Sequence, residues 1–157
     1  MAESFQFSES NTSEETVHDN IANLNFGSND SYEIVPATYK ITKGQNSFSK
    51  YIRAKFGGTF TEISNMKFWK SVGAYKTEEL VKADSNKTFG TPSQTGTGDA
   101  TIPTEVGSAL HIHSAGGTDT IVAPGYSMYI RLQLQTTTNT EIGVVNQKTF
   151  CFQYDAA

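Results

Sequence analysis

The stretch YSMYIRLQLQ, residues 126–135, decides the fold class. Tyr126, Met128, Ile130, Leu132 and Leu134 alternate with Ser127, Tyr129, Arg131, Gln133 and Gln135. A period of two, apolar on one face and polar on the other, is the pattern of an antiparallel strand laid over a core. Two other segments repeat it. KYIRAKF (50–56) puts Ile52, Ala54 and Phe56 on one face, and KTFCFQYD (148–155) does the same with Phe150, Phe152 and Tyr154. SYEIVP (31–36), ATYKIT (37–42), TFTEIS (59–64) and NMKFWKS (65–71) read as further short strands. Only KTEELVKAD (76–84) has a helical look, for two or three turns at most.

The composition agrees. The chain has 157 residues, the usual size of one domain, and only 18% of them are charged. Thr and Ser are its commonest residues, with Tyr, Phe, Gly and Asn plentiful, which suits pleated surfaces joined by tight turns. The expected fold is all-β: an antiparallel β-sandwich or jelly-roll-like barrel over residues 31–157. The Gly/Ser/Thr/Pro-rich span 84–105, DSNKTFGTPSQTGTGDATIPTE, is expected to be a long surface loop that makes contacts.

Charge is distributed unevenly. No Lys or Arg precedes Lys40, whereas Glu3, Glu9, Glu14, Glu15, Asp19, Asp30 and Glu33 precede it. Residues 1–30 also carry few aliphatic side chains, so they are expected to form an extended acidic arm outside the core. Lys50, Arg53, Lys55, Lys67 and Lys70 gather between residues 50 and 70 against Glu62 alone. This cluster reads either as an ordinary solvated strand face or as the patch that receives the acidic arm, of the same chain or of a neighbouring subunit. Glu14, Glu15, Arg53 and Lys55 are the candidate contact residues of that pairing.

A net charge of −4 argues against free nucleic acid as the partner. No apolar run approaches membrane-spanning length, and MAESFQFSES lacks the basic start and apolar stretch of a signal peptide, so no membrane role is expected. The single cysteine, Cys151, rules out an intramolecular disulfide. It lacks a neighbouring base and reads as a structural thiol.

His111 and His113 lie two apart in SALHIHSAGG (108–117), side by side on one strand face. A cupin-like metal site would need a carboxylate a few residues on and another histidine. The first acidic residue downstream is Asp119, beyond a Gly-Gly turn, and the other histidine is His18, in the arm. The sequence therefore reads as a polar strand face here, with no metal and no cofactor. There is no Gly-x-Ser-x-Gly elbow and no phosphate-binding glycine loop, so no enzymatic activity is expected. Trp69 is left as a candidate contact residue, either stacking on a carbohydrate or packed in the core.

GGTFTEISNMKFWKS (57–71), TIPTEVGSAL (101–110), YSMYIRLQLQ and KTFCFQYD together resemble the small virion structural proteins of tailed bacteriophages. The resemblance covers residues 46–155 and excludes the acidic arm. It implies a non-enzymatic β-sandwich component of the virion, assembled in the host cytoplasm. Such a component is a capsid decoration (cement) subunit or a part of the neck or tail. Its partners are then the major capsid protein and other copies of itself, as a homo-oligomer in the particle. A host-surface module for carbohydrate is the alternative from a different functional class.

Overall fold

The alternating segments do become strands, and their apolar faces meet. A computed structural model describes residues 2–157, with ten strands and one short 3₁₀ turn. In chain order the strands are β1 (Ala2–Asn11), β2 (Thr16–Asp19), β3 (Lys50–Thr59), β4 (Ile63–Val72), β5 (Leu80–Asn86), β6 (Ala100–Thr101), β7 (Leu110–His111), β8 (Gly125–Tyr126), β9 (Tyr129–Gln135) and β10 (Thr149–Ala156). The larger sheet runs β2-β1-β3-β9-β5-β6, with β8 also paired to β3, and the smaller runs β10-β4-β7. Every pairing is antiparallel.

The core lies between the two sheets. Ile52, Ala54 and Phe56 of β3, Val81 and Ala83 of β5, and Ile130, Leu132 and Leu134 of β9 face Ile63, Met66 and Phe68 of β4. Phe5 of β1 stacks on Phe152 of β10 at 5.5 Å between ring centroids, so the aromatic side chains of the first and last strands close one side. The expected all-β, antiparallel architecture is the one observed.

Residues 2–19 are not an arm outside the body. β1 pairs with β3 over nine residues, from Ala2 opposite Thr59 to Ser10 opposite Tyr51, and β2 folds back on β1. The few apolar residues of this segment have the spacing of a strand, since Phe5 and Phe7 alternate with Ser4, Gln6 and Ser8 and turn toward the core. Their shared face continues into Glu9, whose carboxylate meets Lys50 Nζ at 2.7 Å with both side chains 1% exposed.

Three other expectations change. KTEELVKAD forms no helix: Lys76–Glu79 is a turn, and β5 follows because Val81 and Ala83 alternate into the core. SYEIVP and ATYKIT form no strand and join β2 to β3 as turns, with Ile34 as their buried anchor. The long loop of span 84–105 is confined to 87–99, because 84–86 end β5 and 100–101 form β6, and this loop lies on the sheet. Phe89 packs at 5.0 Å on Tyr51 and 5.8 Å on Tyr129, Asp99 holds Arg131 through both carboxylate oxygens, and Gln133 Nε2 donates to the carbonyls of Ser47, Ser93 and Thr95. The polar face of β9 is thus buried under a loop whose backbone it satisfies.

Candidate functional site

Charged side chains come together along the outer face of β1, β2 and β3. Antiparallel register places Arg53 opposite Ser8 and Lys55 opposite Gln6, one strand away from β2 and the turn before it. Arg53 Nη2 lies 3.5 Å from Glu15 Oε1, and its guanidinium is sandwiched by the rings of Tyr126 (4.1 Å) and Tyr129 (4.4 Å). Delocalised and weakly hydrated, a guanidinium suits such stacking. Lys55 pairs with Asp19, which Ser8 Oγ also reaches at 2.5 Å. The Lys55 ammonium and the Ser8 hydroxyl hold the Asp19 carboxyl below the usual carboxylate range.

Three of the five clustered basic residues, those on β3, receive the acidic segment of the same chain, whereas Lys67 and Lys70 lie on β4 of the other sheet. Lys50 takes Glu9, Arg53 takes Glu15 and Lys55 takes Asp19. Glu14 is exposed on the turn and joins no ion pair of this set. Trp69 is half-buried on the outer face of the smaller sheet, opposite Cys151, and lies apart from these charges. Lys70 turns inward to donate to the Gly73 carbonyl at 2.6 Å.

Tyr129 completes the cluster by donating its hydroxyl to Glu15. Burial, and then this carboxylate, push its pKa from 10 up to about 12. The folded state thus favours the neutral phenol, and the sign follows: the contribution to stability is complete below pH 10 and is lost as pH rises through about 12. Chemical denaturation on both sides of pH 10 should show the wild type losing more stability with rising pH than Tyr129→Phe. Parallel losses would mean that the phenol is not held as described.

A second feature lies at one end of the sandwich. The turns after β2, the two sheets and the segment before β10 enclose an open groove of about 1060 Å³, its walls including Phe7, Leu24, Phe26, Ile41, Leu134 and Phe150. At its rim, EIGVV (141–145) exposes Ile142 at 81% and Val144 at 91%. Lys148, beside this segment, is buried against Glu79 and lies over the Tyr75 ring, so the loop is anchored at its base.

The histidine pair is the third. β7 and the two residues after it keep His111 and His113 on one side, with Ile112 fully buried between them. The turn at Ser114–Thr118 brings Asp119 back over both imidazoles: its Oδ1 lies 3.4 Å from His111 Nε2 and 2.8 Å from His113 Nδ1. Asp119 is the member of this cluster that the sequence alone does not place. The Gly-Gly turn, which separates it from the histidines in sequence, returns it to them in space. No family model, curated protein or solved structure matches this chain.

Proposed function

We propose that the chain is a non-enzymatic structural protein of a tailed-phage virion, a decoration subunit that stabilises the head. The observation that carries this reading is the EIGVV loop. Two aliphatic side chains held almost wholly in water at the mouth of an apolar groove form a surface whose burial is realised only against a partner. The resemblance of its strand segments to small virion proteins supplies the class of partner. The acidic segment and the 84–105 span, expected as contact elements, pack on their own sheet instead. Residues 141–145, which hold the two most exposed of the large apolar side chains, are assigned the contact with the major capsid protein. Each such contact adds burial present only in the assembled shell, which is how a decoration subunit stabilises a head.

The test is the copy number of the chain in purified virions of the phage that encodes it, measured by quantitative mass spectrometry against the major capsid protein. A stoichiometric ratio, with occupancy reduced by the Ile142→Ser/Val144→Ser double variant, supports decoration through this loop. A fixed low number per particle places the chain in the neck or tail and overturns the decoration assignment. Absence from the particle overturns the virion reading altogether.

A further inference from the structure

We propose that His111, His113 and Asp119 form a binding site for a divalent transition-metal ion, with Zn²⁺ as the defining case. The site is independent of any role in a virion. Among the described residues this is the one group of three metal-ligating side chains whose donor atoms all lie within 4.8 Å of one another. In zinc sites, bonds of about 2.0–2.2 Å to imidazole nitrogen and carboxylate oxygen place neighbouring tetrahedral ligand atoms roughly 3.4 Å apart. The 3.4 Å separation of Asp119 Oδ1 from His111 Nε2 matches that spacing, and the 2.8 Å separation from His113 Nδ1 would have to open to reach it. Two imidazoles and a carboxylate are a donor set for zinc, nickel or copper rather than for calcium or magnesium.

The His113 contact is what separates this group from an ordinary ion pair. By distance, Nδ1 and the Asp119 carboxylate are paired; by direction, they do not meet the geometry of a hydrogen bond. That nitrogen is shielded from water and has no other partner. A shielded ring nitrogen 2.8 Å from a carboxylate oxygen, without the alignment of a hydrogen bond, places two donor atoms where one cation could accept both.

The backbone fixes these three residues before any ion arrives. Ile112 N donates to the Met66 carbonyl at 2.9 Å and Met128 N to the His113 carbonyl at 2.8 Å, holding the histidine segment from both sides. The turn is closed by Ser114 N to the Thr118 carbonyl and Gly117 N to the Ser114 carbonyl, both at 2.8 Å. Gly117 adopts φ +86°, a conformation that β-carbon-bearing residues rarely take. Ser114 and Thr118 also join through their hydroxyls at 2.6 Å. Beyond Asp119, Ile121 exchanges two backbone hydrogen bonds with Ile63, so the chain is clamped on both sides of the carboxylate. Three protein ligands leave at least one coordination position to water, and the exposed carboxylate leaves the site open to solvent. Lys67, opposite His111 in the β4 ladder, would have to keep its ammonium turned to solvent when the ion is bound.

The experiment is calorimetric titration of chelator-stripped, tag-free full chain with ZnCl₂, alongside His113→Ala, Asp119→Asn and His18→Ala. His18 stacks on Tyr32 at 4.5 Å, away from the cluster, and reports adventitious imidazole binding. The expected result is about one Zn²⁺ per chain in the wild type and in His18→Ala, with affinity lowered more than about tenfold in the other two. Asp119→Asn preserves the shape of the side chain, so its loss of affinity cannot be assigned to misfolding. Circular dichroism should confirm that all variants remain folded. No saturable binding, or equal binding in Asp119→Asn and wild type, would overturn the proposal and leave a surface His–Asp contact only.

Discussion

Lys50→Met should lower the free energy of unfolding by about 3–5 kcal/mol, the range for removing one partner of a buried ion pair. Lys50 and Glu9 are both about as buried as the core aliphatics, each 1% exposed. Lys50 Nζ also donates to the Ser31 carbonyl at 2.9 Å, and Asn11 Nδ2 donates to Glu9 at 2.9 Å. Methionine matches the length of the lysine stem, so the variant leaves no large cavity. What it leaves is a desolvated carboxylate with one amide donor and a carbonyl without its ammonium. The double variant Lys50→Met/Glu9→Leu should recover most of that loss, because a buried pair replaced by apolar groups is often neutral or stabilising. Denaturant titration of the wild type, both single variants and the double gives the coupling directly. A single-variant cost below about 1 kcal/mol would place the pair at an exposed surface, and the first strand could not then be seated as described.

That pair also explains why part of the fold was legible in the sequence and part was not. Strands β3, β9 and β10 announce themselves because their apolar residues alternate locally, and each alternation can be read without knowing its neighbour. β1 fails the same reading past Phe7, since its inward face continues as Glu9 and Asn11. Those two residues look like solvated polar side chains until Lys50 is placed beside them, 41 positions from Glu9 in sequence. The phrase SFQFSES did carry a period of two through Phe5 and Phe7, outweighed by the acidic composition around it. In KTEELVKAD, helix-favouring residues gave way to the burial of Val81 and Ala83, a case of tertiary packing overriding local preference. SYEIVP and ATYKIT had strand-like residues but gained no strand pairing.

The candidate sites follow the same division. That basic residues of 50–70 could receive the acidic segment was readable from charge alone. Which acid meets which base depends on register, and Glu14, adjacent to Glu15, joins no ion pair because the turn points it outward. The His111–His113 face was visible from spacing, whereas Asp119 required knowing that the Gly117 conformation reverses the chain. Gly-Gly in a sequence marks a change of direction without stating what the returning strand will touch.

Phe56→Ala should cost about 3–5 kcal/mol, the usual range for truncating a buried aromatic, because the two sheets meet on this ring. Phe56 belongs to β3 of the larger sheet and is essentially buried. Its ring lies 4.9 Å edge-on from Tyr154 and 6.3 Å from Phe152, both on β10 of the smaller sheet, and 5.6 Å from Phe5 of β1. Truncation removes apolar burial from both sheets and leaves a void between strands held apart by their own ladders, so collapse into the gap is limited. Phe56→Leu should cost less, since it retains most of the apolar volume. A double-mutant cycle with Tyr154→Ala should return a coupling of about 0.5–1.5 kcal/mol beyond additivity, the signature of a direct aromatic contact. Additive effects would mean that β3 and β10 do not face each other. The β10-β4-β7 sheet, which carries both the histidine edge and Trp69, would then have to sit elsewhere on the body.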